Sequence, residues 1–211
     1  ISGLLPITLS ISVCLAGVYL LFQPPTKTTT GTAEKEGGVS ESQTAIQESK
    51  LPKWTVLAEE SHIKFKAEQA GAEFEGSIDQ WTPAIQFDAS LLEESSVKVV
   101  FHINSIETDD NERDQMLQEP DWFNAQDPVF RADKFSVDSD TFKASNATLE
   151  IKGVRYAIPF TFSLRQEKGR IYLEGHSRLD RTTLKIGSGE WADTTWVGQY
   201  VEVEVSVVAK I

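Results

Sequence analysis

The side chains best suited to chemistry are few and poorly grouped for it. The three histidines, His62, His102 and His176, form neither an H-x-H nor an H-x3-H spacing, and the single cysteine, Cys14, stands well upstream of them. Zinc and haem sites need such ligands brought together, so no metal is expected. Ser188 lies in Gly187-Ser188-Gly189, short of the G-x-S-x-G spacing of a nucleophile elbow. Glu59-Glu60 and Glu93-Glu94 read as solvated turns, and Asn146-Ala147-Thr148 matches a glycosylation sequon by pattern alone. Two features are left: an acidic stretch carrying Arg113-Asp114 and Trp122-Phe123, and a large stock of aromatic and aliphatic residues. That stock suits the binding of an apolar molecule, and no catalytic residue is assigned.

Alternation selects which of those residues face inward. Phe65, Phe74, Ile78, Phe87, Val99, Phe101, Phe160 and Phe162 share the parity of the apolar face in their segments. Met116, Trp122 and Phe123 join them from the acidic stretch as candidate ligand contacts. A hydrocarbon tail gains roughly 0.8 kcal/mol for each buried CH2, so such walls bind it with few polar contacts. The same residues would equally serve to fill a core. Arg113 and Asp114 either hold a polar headgroup or pin the loop through an ion pair. Trp122 and Phe123 either gate a pocket or plug one end of it. Arg181, within Asp180-Arg181-Thr182, reads as structural, His62 and His102 as solvent-facing.

The elements that must position these side chains are β-strands. From Lys53 onward the period is two, most plainly in Val201, Val203, Val205 and Val207 alternating with Glu202, Glu204 and Ser206. Gln69-Ala70-Gly71, Lys152-Gly153 and Lys168-Gly169 supply turn chemistry between the runs. Many short strands with one wet face mean a sandwich or a barrel, and a barrel of about eight strands can hold a small ligand. The stretch from Thr108 to Phe130 breaks the period. Asp109 or Asp110 would cap a short helix through Leu117, with Met116 and Leu117 inward and Pro120 as its stop. A connection this long suggests a lid or binding loop.

Charge divides the chain. The net charge is −12, with 32 Asp and Glu against 20 Lys and Arg, and none of these lies in residues 1–26. The acidic remainder argues against nucleic acid as a partner, and one cysteine excludes an internal disulfide. Residues 1–23 have the length and apolarity of a membrane anchor or an uncleaved signal. Residues 24–52, polar and without aromatics, read as a flexible linker, and residues 53–211 as the globular domain. The chain opens on Ile1, which suits a fragment of a longer protein.

An ordered series of motifs adds a resemblance. Ser105-Ile106-Glu107-Thr108, Arg113-Asp114 with Leu117, Asp121-Trp122-Phe123 and Pro128-x-Phe130 resemble the pattern of the YceI-like family. Trp54, Gly76, Phe87-Asp88, Ile151-Lys152-Gly153-Val154, Leu179-Asp180-Arg181 and Ile186-Gly187-Ser188-Gly189-Glu190-Trp191 follow in the family's order. The resemblance spans about Lys53 to Ile211. It implies an all-β, lipocalin-like antiparallel barrel that binds a polyisoprenoid, a polyprenyl lipid or a quinone such as ubiquinone, in the periplasm and without a catalytic step. The Gly-Glu-Trp ending is similar to a subgroup associated with membrane b-type cytochromes, which implies such a partner; family members also form homodimers. Glu60-Ser61-His62 departs from the family's acidic-His-Ser order, which puts any role there in doubt. Two other readings stand beside this one: an accessory, quinone-linked redox or enzyme partner with a titratable cluster at the pocket mouth, and a β-sandwich interaction module with a filled core.

Overall fold

A computed structural model describes residues 51–211. The expected anchor (1–23) and nearly all of the expected linker (24–52) lie outside the described residues; Leu51 is buried. Among the described residues no helix is long and apolar enough to cross a membrane.

Among the described residues fourteen strands follow in chain order: β1 (Thr55–Val56), β2 (His62–Gln69), β3 (Ala72–Ile78), β4 (Trp81–Gln86), β5 (Ser96–Phe101), β6 (Ile106–Glu107), β7 (Val129–Ala132), β8 (Phe135–Asp138), β9 (Thr141–Ala144), β10 (Thr148–Ile151), β11 (Val154–Ala157), β12 (Thr161–Glu167), β13 (Arg170–Asp180) and β14 (Tyr200–Lys210). One helix, α1 (Asn111–Met116), interrupts them after β6. Three hairpins turn through two residues that both have positive φ: Ala70-Gly71, Lys152-Gly153 and Lys168-Gly169. That is the backbone of a type I′ turn, whose twist matches that of the strands it joins.

The strands form two antiparallel sheets. The larger runs β6-β3-β2-β14-β13-β12-β9-β8, with β1 beside β14; the smaller runs β11-β10-β7-β5-β4. These two sheets replace the expected single closed barrel of about eight strands. The cause is a set of corners. Between β3 and β4, β5 and β6, β7 and β8, β9 and β10, and β11 and β12 the chain passes from one sheet to the other through two to four residues. With those pairs each taken as one bent run, and the stub β1 set aside, eight runs remain. At the corners, side chains take over from the ladder. The Ser105 hydroxyl donates to the His102 carbonyl (2.7 Å) and accepts from the Gln80 N–H (2.9 Å). The Asn146 carbonyl oxygen accepts from the N–H groups of Asp133 and Lys134. Ser177 donates to the carbonyl of Pro159, which has no N–H of its own to give.

Two apolar clusters occupy opposite ends of the long strands. At one end Phe87 makes edge-to-face contacts with Trp54, Phe135, Phe142 and Phe162 at centroid distances of 5.1–6.1 Å. At the other, Ile103, Ile106, Leu117, Trp122 and Val197 pack beneath α1 and its loop.

Candidate functional site

Between these ends lies an apolar cavity of about 240 Å3. An engineered apolar cavity of roughly 150 Å3 holds one benzene ring, so this one exceeds the space of a single ring. The walls come from the inward parity of the strands. Val201, Val203, Val205 and Val207 of β14 all line it, while Glu202 and Glu204 do not. Two rings are seated by glycines. A Cβ on Gly76 would collide with the ring of Phe65, and one on Gly175 would lie 2.6 Å from Cζ of Phe160. Glycine at those positions lets the rings lie against the sheet backbone.

All eleven apolar residues selected by parity and by the acidic stretch line this one cavity. They come from β2 (Phe65), β3 (Phe74, Ile78), β5 (Val99, Phe101), α1 (Met116), β12 (Phe162), and the connections carrying Phe87, Trp122, Phe123 and Phe160. Phe87, Val99, Trp122 and Phe162 are buried. Phe162 stacks on Phe142 at 5.2 Å and on Phe160 at 5.8 Å, so that end serves as core as well as wall. Parity reasoning passed over further lining residues, Trp81, Ile85, Phe130 and Phe135 among them. Ile85 and Phe135 were in segments with visible alternation; Phe130 ends the aperiodic stretch, where no register carries over.

The acidic stretch forms a fixed loop across one end. Asp110 caps α1, its Oδ1 accepting from the N–H groups of Glu112 (3.0 Å) and Arg113 (3.1 Å). Those bonds, led by the Arg113 N–H, hold the Asp110 carboxyl below the usual range. Beyond the helix, Ser188 Oγ donates to Asp121 Oδ1 (2.9 Å) and Lys152 Nζ to the Pro120 carbonyl (3.2 Å). Asp127 closes the loop, its Oδ1 accepting from the Ile103 N–H (3.0 Å) and its Oδ2 lying 2.9 Å from His102 Nδ1. Partial burial pushes the Asp127 carboxyl up, but these two bonds bring it below the ordinary value. Trp122 is 5% exposed, with its ring 6.0 Å from that of Trp191.

Arg113 and Asp114 part company. Arg113 lines the cavity, lies over Phe74 at 3.8 Å from the ring centroid, and donates through Nη2 to Asp110 Oδ2 at 3.1 Å. Asp114 is not on the cavity wall and accepts from the buried Thr108 hydroxyl at 2.7 Å. His62 is exposed, and His176 lies 3.3 Å from Glu202 on an outer face. His102 is half-buried, held between Asp127 and the Thr82 hydroxyl at 3.0 Å. The titratable cluster that an enzyme would need at the cavity is thus not gathered by these residues. Among the described residues no three His, Cys, Asp or Glu side chains converge as metal ligands.

Arg181 is 1% exposed and its guanidinium makes five hydrogen bonds, all to backbone carbonyls. Nε donates to Gly198 (2.8 Å), Nη1 to Ile186 (3.2 Å) and Gly187 (3.1 Å), Nη2 to Asp193 (3.3 Å) and Val197 (2.6 Å). Burial lowers its pKa, and the charge of Asp180 opposes that shift. One cation thereby organises the whole connection between β13 and β14.

The fold has solved counterparts. BcnA of Burkholderia cenocepacia superposes with a TM-score of 0.69 at 20% identity, over 74% of this chain and 100% of that one. The YceI protein of Campylobacter jejuni gives 0.59 at 23% identity, over 66% and 86%. A polyisoprenoid binding domain from Saccharophagus degradans, implicated in plant cell wall breakdown, gives 0.56 at 14% identity, over 75% and 97%. No curated protein matches the chain. The model of the YceI-like domain matches residues 54–209, from the buried Trp54 that donates to the Phe87 carbonyl to the wholly buried Ala209 of the last strand. Cavity and corners fall inside that match, as do the sheets up to Ala209, and the chain belongs to the YceI-like domain family.

Proposed function

We propose that this protein binds a long-chain isoprenoid lipid, a polyprenyl chain or a quinone tail, in the cavity between its sheets and carries it without a chemical step. The observation that carries this reading is the cavity itself: about 240 Å3 of space walled almost entirely by rings and aliphatic side chains. An uncharged tail needs such a surface. Each five-carbon unit it buries contributes roughly 4 kcal/mol, reduced by the cost of ordering the chain. The neighbour from Saccharophagus degradans, described as a polyisoprenoid binding domain, supports the same ligand class.

In this reading the domain works in the periplasm beside a membrane. The uncharged residues 1–23 would tether it, and a membrane b-type cytochrome or a second copy of the chain would be its protein partner. The test is native mass spectrometry of the delipidated full chain after incubation with polyprenols and quinones of several lengths. Retention of one lipid per chain is the expected result. Failure to retain any long-chain lipid overturns the reading.

A further inference from the structure

Two side chains on the cavity wall carry hydrogen-bond donors that nothing in the protein accepts. Arg113 leaves Nε and Nη1 buried without a partner, and Trp122 leaves its indole Nε1 likewise. A buried donor without an acceptor bears its full desolvation cost, so such groups are rare in native proteins and ask for a reason. Three other residues of the same wall use their donors. Trp54 Nε1 donates to the Phe87 carbonyl, Ser177 to the Pro159 carbonyl, and Arg181 to five carbonyls. Among the described residues the other buried side-chain donor without a partner is Arg131 Nε, which is not on this wall. The Phe74 ring lies over the Arg113 guanidinium at 3.8 Å. Its π-face attracts the cation but offers no lone pair to an N–H. Phe74 is half-buried and meets Phe65 edge to face at 6.4 Å.

We propose that the cavity has two parts: an apolar tube for hydrocarbon, and at Arg113 and Trp122 an acceptor site for the oxygen-bearing head of the same ligand. The fitting chemistry is an acceptor oxygen, the carbonyl of a ketone or quinone or the oxygen of a phosphate. A group that only donates, such as an ammonium, would add to the deficit. Asp110 already neutralises part of the Arg113 charge, and the apolar wall beyond takes whatever tail the head carries. This inference rests on the lipid-binding reading above and specifies which end of the ligand is recognised, and by which atoms.

The test uses the delipidated full chain and three probes that share one isoprenoid tail: the plain hydrocarbon, its ketone and its monophosphate. Affinities are read by displacement of a fluorescent fatty probe and by native mass spectrometry. The wild-type protein should prefer the ketone or the monophosphate over the hydrocarbon by about tenfold, the scale of one well-made hydrogen bond. Whichever headed probe wins identifies a neutral or an anionic acceptor. Arg113→Met and Trp122→Phe should each bring that ratio to within about threefold; the second keeps an aromatic ring in the core and removes only the N–H and part of the ring system. Equal binding of all three probes by the wild type overturns the head site and leaves the tail site standing. Binding of none overturns both. A tenfold preference that survives in both variants shows that these donors are not the recognising groups, and overturns the assignment.

Discussion

Arg181 and Arg113 both line the cavity, yet Arg181 donates five hydrogen bonds to carbonyls of the β13–β14 connection while Arg113 donates one, to Asp110. Arg181 is 1% exposed and the Arg113 side chain 17%. A fork of donors saturated by backbone fixes a loop in one geometry. A fork left mostly unpaired fixes less and keeps capacity for something from outside. The difference separates a region that holds the fold from the one where we propose that a ligand's head binds, although both lie at the same end of the cavity.

The largest expected effect comes from removing the saturated cation. Arg181→Met strands five carbonyls in a dry site and should cost about 3–5 kcal/mol, read as a fall in the urea midpoint or a failure to accumulate folded protein. Arg181→Lys should rescue only part of it, since a point charge cannot reach carbonyls in the five directions of a planar fork. A loss below about 1 kcal/mol for the Met variant would remove the distinction between the two arginines.

Next is Gly187, at φ +68°, where an added Cβ would sit 3.0 Å from Arg181 Nη1 and 3.1 Å from Trp122 Cη2. Gly187→Ala combines a left-handed backbone with crowding against both regions at once, and should cost about 1–3 kcal/mol by thermal unfolding. An unchanged melting temperature would mean that the loop gives way, and that Arg181 does not hold it rigidly.

Acid should draw more stability from Asp180, beside Arg181, than from Asp110 on the Arg113 side. The Thr182 hydroxyl, the Gln199 amide and the Thr182 and Thr183 N–H groups hold the Asp180 carboxyl well below its ordinary value. A carboxyl depressed in the folded state stabilises the fold above its unfolded pKa of about 4, and that contribution is lost as pH falls through the folded value. Urea midpoints should therefore decline on acidification below about pH 4, and Asp180→Asn should make the decline shallower. An equally steep decline in the variant would assign acid sensitivity to other carboxylates, such as Asp110 and Asp127.

Much of this organisation is legible in the sequence because it is local. Val201 to Val207 alternate as a half-buried strand must, Lys152-Gly153 and Lys168-Gly169 supply the positive φ of tight hairpins, and Asp110 caps the helix it precedes. The rings that meet at the cavity were also readable, since parity within a strand decides which face a side chain takes. The corners were not. Ser105 reaches back to Gln80 and Asn146 to Asp133 and Lys134, and nothing in a period of two marks where a run will bend between sheets. Arg113 and Asp114 look like one unit in sequence, yet adjacent residues on a helix point to different sides. One therefore meets Phe74 and the other Thr108. Whether a donor finds an acceptor is a matter of final geometry, so neither the five bonds of Arg181 nor the idle donors of Arg113 and Trp122 could be read from residue types.

The smallest expected change in stability belongs to Arg113 itself. Arg113→Met gives up one hydrogen bond to Asp110 and a ring contact with Phe74, but it also removes two buried donors that had no partner. Gain and loss are of similar size, so the net should lie within about 1 kcal/mol of the wild type by urea titration. The exposed pair Arg170–Glu60 supplies the yardstick, because both side chains are more than a third exposed and such pairs contribute roughly 0.2–1 kcal/mol. If Arg113→Met proves no more disruptive than Glu60→Gln, Arg113 contributes little to the fold, and its place on the cavity wall needs another reason. If instead it costs as much as Arg181→Met, the two arginines are one kind of residue, and the unpaired N–H groups mark only imperfect packing.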